Sequence, residues 1–134
     1  MTISVPDTRQ TVLAALVDFL ETDLLLTATS YTACALPQDA VVTGGLMIID
    51  TAFDAETSAA LDVGDSASGV RYEDGQDVRT AAGAWALTLT GYEVTNATRN
   101  ILLEPTYNSV LGSAGVGRLI VQYVVGGRSI ENFE

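Results

Sequence analysis

The sequence predicts an all-β domain, an antiparallel β-sandwich or jelly roll of about eight strands behind an extended N-terminal arm. From Tyr31 onward, apolar and polar residues mostly alternate, which is the period of a half-buried strand. Gly, Pro, Asn and Asp interrupt the pattern roughly every 8–15 residues, as turns between short strands do. No long segment of helical period separates the runs, which argues against a βαβ fold.

Residues 7–20 fit two patterns. Asp7 or Thr8 could cap a helix with Val12, Leu13, Leu16, Val17 and Leu20 on one stripe, while Leu13, Ala15, Val17 and Phe19 equally form one face of a strand. Next, "LLLTATSYTACAL" runs to a turn at Pro37-Gln38-Asp39, followed by "AVVTGGLMIIDTAF", "AALDV" and "GVRYE". In "AWALTLT", Trp85, Leu87 and Leu89 share one face and Ala84, Ala86, Thr88 and Thr90 the other. After "YEVT" and "RNILLEP" comes "GRLIVQYVV", with Leu119, Val121, Tyr123 and Val125 opposite Arg118 and Gln122. A chain of 134 residues suits one domain, here expected over residues 11–126. The polar stretches 1–10 and 127–134 are expected to be an arm and a tail.

Composition excludes several kinds of function. A net charge of −11 repels phosphate backbones, so nucleic acid is not an expected partner. The basic residues are Arg9, Arg71, Arg79, Arg99, Arg118 and Arg128, with no Lys and no His. That removes histidine acid–base catalysis, Ser-His and Cys-His nucleophiles, lysine Schiff bases, the P-loop lysine and histidine-containing zinc sites. Cys34 alone cannot form an internal disulfide and reads as a small buried hydrophobe. The N-terminus lacks signal-peptide features and no apolar run approaches a membrane span, so a soluble product is expected. With 48% apolar and only 17% charged residues, part of the surface is expected to be covered by another protein.

The densest chemistry lies in "LDVGDSASGVRYEDGQD", which carries Asp62, Asp65, Glu73, Asp74 and Asp77. Neither EF-hand nor nonapeptide calcium spacing is present, since Ala67 follows Asp65 where a ligand is needed. The favoured reading is solvated turns at Asp62-Val63-Gly64-Asp65 and Glu73-Asp74-Gly75. A calcium site assembled from several loops and a carboxylate pair for glycoside chemistry are the competing readings. Arg71 and Tyr72 suit either an interface or a strand whose Arg pairs with a nearby Asp. "GSAGVGR" opens a strand rather than a helix, so it reads as a flexible hairpin and not a nucleotide loop. Trp85 reads as core, and Asn96-Ala97-Thr98 as a chance match to a glycosylation acceptor. No catalytic, cofactor-binding or metal-binding residue is predicted.

Three stretches taken together, "LPQDAVVTGGLMIIDTAFDAETSAALDVGD", "RYEDGQDV" and "GSAGVGRLIVQYV", resemble the head decoration or cement proteins of tailed bacteriophages. The resemblance covers residues 31–125 and extends loosely to "RQTVLAALVDF", where it favours a strand. It implies a jelly-roll domain, usually a homotrimer, made in the host cytoplasm. Such a protein sits on the outside of the virion and clamps neighbouring major capsid subunits. Related domains serve as fibre bases or tail components, so the alternative is a β-sandwich module that binds carbohydrate or the host surface, with or without calcium.

Overall fold

The computed structural model describes residues 11–24, 27–108 and 112–126. Eight strands form two four-stranded antiparallel sheets. They are β1 (Leu13–Leu20), β2 (Tyr31–Ala35), β3 (Ala40–Thr51), β4 (Ser58–Gly64), β5 (Glu73–Asp77), β6 (Gly83–Ala86), β7 (Asn100–Asn108) and β8 (Val116–Val125). Sheet 1 has the order β1-β8-β3-β6 and sheet 2 the order β2-β7-β4-β5.

The pairings β1 with β8, β2 with β7, β3 with β6 and β4 with β5 trace one long antiparallel ribbon folded at the β4–β5 turn. Wrapping the ribbon into two layers adds the β3–β8 and β4–β7 contacts, and the result is a jelly roll. Every connection except the β4–β5 turn crosses from one sheet to the other, as the ribbon requires. The two 3₁₀ turns, Glu21–Asp23 and Asn96–Thr98, are the only helical elements among the described residues.

Tertiary context settles residues 13–20 as strand. β8 offers β1 an eight-residue partner in continuous register, from Leu13 opposite Tyr123 to Leu20 opposite Val116. Phe19 is buried from this strand, while Leu16 on the opposite face is 63% exposed. The core between the sheets takes Met47, Ile49, Leu119 and Val121 from sheet 1, and Leu61, Val63, Ile101 and Leu103 from sheet 2. Phe53, Leu36, Val78 and Val94 close it from the connections. Each such side chain contributes about 1.5–3 kcal/mol by burial, so a charge at Met47 or Leu119 would unfold the sandwich.

Several expected elements differ from those observed. "GVRYE" is not a strand up to Glu73, since Arg71 and Tyr72 lie in a bend and pairing begins at Glu73. "YEVT" makes only an isolated bridge between Glu93 and Val41, and Val94 is instead bonded to the Asp39–Ala40 corner. "AWALTLT" pairs only as far as Ala86. Leu87 is buried but Leu89 is 52% exposed, because the chain has left the sheet by then. Trp85 is half-buried and packs against the core, as does Cys34, whose thiol pKa burial raises.

Candidate functional site

The five acidic residues of the 61–77 stretch do not form one cluster, and the structure overturns both turn assignments. β4 continues through Gly64, which pairs with Leu102, so Asp62 lies on a strand rather than in a turn. Glu73, Asp74 and Gly75 lie within β5, where the positive φ of Gly75 (64°) accompanies a register shift between Leu61 and Val63. Only Asp77 behaves as a solvated turn residue. It accepts the Arg79 and Thr80 backbone N–H groups at 2.9 and 3.0 Å, and these bonds with the Thr80 hydroxyl lower its pKa.

Asp65 is buried rather than solvated, 2% exposed. Its Oδ1 accepts the N–H groups of Ala67 and Ser68, each at 2.9 Å, and its Oδ2 accepts Arg71 Nε at 2.5 Å. Burial pushes the carboxyl pKa up, but the Arg71 bond and the two N–H groups outweigh it, and the net shift is downward. The Arg71 guanidinium stacks 3.5 Å from the centroid of the Tyr92 ring. Of the two readings of Arg71, the structure displays the pairing with a nearby Asp. Tyr72 is buried beside this pair, its hydroxyl has no hydrogen-bond partner among the described residues, and burial pushes its pKa up to about 12.

The opposite end of the sandwich holds a carboxylate site that the sequence did not reveal. Glu21, directly after β1, is fully buried. Its Oε1 accepts the N–H groups of Asp54 and Gly115 at 3.0 Å each, and its Oε2 that of Gly112 at 3.1 Å. Asp54 completes the clasp by accepting Ser113 N–H at 2.7 Å and Ala114 N–H at 3.0 Å. The Ala114 and Ser113 bonds hold the Asp54 carboxyl below the usual range. "GSAGVGR" is therefore not a hairpin. It belongs to the crossover from β7 in sheet 2 to β8 in sheet 1, and its glycines permit close approach, since a Cβ at Gly115 would run into the Phe53 ring. Among the described residues, no cation takes part in the clasp. Five backbone donors meet the two carboxyl groups, an arrangement that anchors a loop.

The outer faces of the two sheets are the remaining candidates. On sheet 1, Leu16, Ile120, Leu46 and Ala86 stand opposite one another and form a row across all four strands. On sheet 2, Asp62 stands opposite Glu104 with Asp74 nearby. Desolvation and these two like charges raise the Asp62 pKa against the bond from Gly75 N–H. Among the described residues, no group of three or more acidic or cysteine side chains could hold a metal ion.

No protein-family model matches the chain, and no curated protein sequence matches it. Solved structures do share its fold. A chain of the cyanophage Pam1 capsid asymmetric unit superposes with a TM-score of 0.74 at 23% identity, covering 93% of this chain and 94% of that one. A chain of the capsid of Ralstonia phage GP4 gives 0.68 at 18% identity, covering 96% and 93%. A chain of the acidic stable capsid structure of Helicobacter pylori bacteriophage KHP30 gives 0.62 at 14%, covering 86% and 89%. At these identities the likeness is one of fold: the chain is a single jelly roll whose architecture recurs, nearly end to end, in chains of phage capsids.

Proposed function

We propose that this protein is a structural component of a tailed-phage virion, a decoration or cement protein on the capsid exterior that stabilises contacts between major capsid subunits. The observation that carries the reading is the fold match over 94% of a chain in the Pam1 capsid, since that neighbour is a similarly small, single-jelly-roll chain. Residues 11–126 are the structural domain in this reading, and residues 1–10 and 127–134 are an arm and a tail that reach other chains. Function is binding alone, with a homotrimer as the working unit and no catalytic residue, cofactor or metal. The buried carboxylates suit that role because they hold loops rigid and leave no reactive group in a cleft.

Cosedimentation of the purified protein with capsids that lack it tests the reading. Saturable binding is expected, together with a higher temperature of capsid disruption. Absence of binding would overturn it. Deleting residues 1–10 and repeating the measurement asks whether the arm is an anchor, and unchanged affinity would exclude it.

A further inference from the structure

The two outer faces of the sandwich differ in charge. On sheet 1 the row Leu16–Ile120–Leu46–Ala86 includes Leu16 at 63% and Leu46 at 38% exposure, with Leu20 at 47% beyond it on β1. Around this row stand Asp18, Asp50 and Arg118, two acids and one base that sum to −1. Arg118 stands opposite Asp18 in the β1–β8 ladder and donates Nε and Nη2 to Asp50, both at 2.9 Å. On sheet 2 the corresponding surface carries Asp62, Asp74 and Glu104 at close quarters.

We propose that the outer face of sheet 1 packs against further copies of this chain and is the contact that closes the homotrimer. The proposal rests on the oligomeric part of the function above. Copies of a chain with net charge −11 repel one another, so they approach most readily through the face that carries the least net charge. The sheet 1 face, at −1 among Asp18, Asp50 and Arg118, meets that condition better than the sheet 2 face, at −3 among Asp62, Asp74 and Glu104. Three strands of about eight residues and the four-residue β6, about 4.8 Å apart at about 3.3 Å per residue, cover on the order of 400 Å² in projection. That is about half of the roughly 800 Å² that one partner gives to a stable interface. Among the described residues, strand β1 adds an eight-residue sheet edge with no Lys and no Pro, the kind of edge that needs covering. Around a threefold axis, three such faces line the axis and each meets both neighbours.

The test is native mass spectrometry and sedimentation of the full chain at micromolar concentration. The double variant Leu16→Glu/Leu46→Glu is compared with Thr106→Glu on the outer face of sheet 2. A wild-type trimer, a trimeric Thr106→Glu and a monomeric double variant with native circular dichroism are the expected results. The milder Leu16→Ser, which introduces no charge, is expected to fold as the parent does and to weaken assembly at least 10-fold. A wild-type trimer with folded variants that remain trimeric overturns the face and leaves the trimer standing. A wild-type monomer overturns the trimer itself. If that monomer binds capsids through Leu16 and Leu46, the face belongs to the shell and not to a second copy.

Discussion

The two ends of the sandwich bury a carboxylate in different ways. At one end Glu21 is held by three backbone N–H groups and, among the described residues, no cation. At the other, Asp65 is held by two backbone N–H groups and the Arg71 guanidinium. Each lies close enough to influence the titration of a buried tyrosine, Tyr107 beside Glu21 and Tyr72 beside Asp65, whose hydroxyl has no partner among the described residues. The difference teaches that this fold needs an anion to gather backbone donors at a strand end, while the counter-cation is optional. It adds an aromatic stack where the Arg has Tyr92 to lie on.

Substitutions at the two ends separate these contributions, beginning with the largest effect. Glu21→Ala strands three donors, the Gly115 N–H buried and the other two part-buried, and is expected to cost about 3 kcal/mol in urea denaturation; a loss below about 1 kcal/mol would mean that the clasp does not hold the Gly112–Gly115 segment. Arg71→Ala leaves the Asp65 carboxylate buried with its N–H donors alone and should cost about 2 kcal/mol. If the two ends obey one rule, that loss is smaller than the loss at Glu21, and the reverse order breaks the comparison.

Asp65→Asn keeps an acceptor for Ala67 and Ser68 but loses the ion pair, at about 1–2 kcal/mol near neutral pH. The pH dependence has a definite sign. The folded pKa of Asp65 lies below its unfolded value of about 3.9, so the contribution is fully present above that value and is lost as pH falls through the folded pKa. Thermal unfolding of wild type and variant should therefore converge in acid; a gap that persists at pH 2 would assign the effect to packing. Tyr72→Phe and Tyr107→Phe each remove an unpartnered hydroxyl and are expected to leave stability unchanged or to raise it by up to about 1 kcal/mol. A loss at either position would reveal a hydrogen bond to a bound water. Smallest is Asp62→Asn, which relieves repulsion from Asp74 and Glu104 while keeping an acceptor for Gly75 N–H. A gain of a few tenths of a kcal/mol at pH 7 is expected, disappearing below about pH 4 and shrinking in high salt.

The fold was legible because alternation is a local property. Val121, Met47 and Ile49 display their buried face in the sequence, and the Gly and Pro punctuation marks most of the connections. β1 was ambiguous because eight of the nine residues from Val12 to Leu20 are apolar and suit both periods, and only the partner strand β8, about a hundred residues away, decides between them. Glu21 was invisible for the same reason. Nothing near it in sequence marks a carboxylate that will meet Gly112 and Gly115. The Asp65–Arg71 pair lay within six residues and was readable as one of two options, although its burial was not. The apolar row on sheet 1 was foreshadowed by the lean charge content. Its position had to await the registers that align Leu16, Ile120 and Leu46.

The ribbon topology also sets an order of events during synthesis. β8, the last strand of the jelly roll, lies between β1 and β3 in sheet 1, so the first strand has no neighbour until nearly the whole domain has left the ribosome. Until then β1 and β3 carry unpaired apolar edges, and the β2–β7–β4–β5 layer can assemble before its companion does. A nascent chain that stalls short of Val116 would therefore carry one finished sheet and one open one, a state exposed to chaperones and proteases. A chain that reaches Val125 closes its core with its final strand.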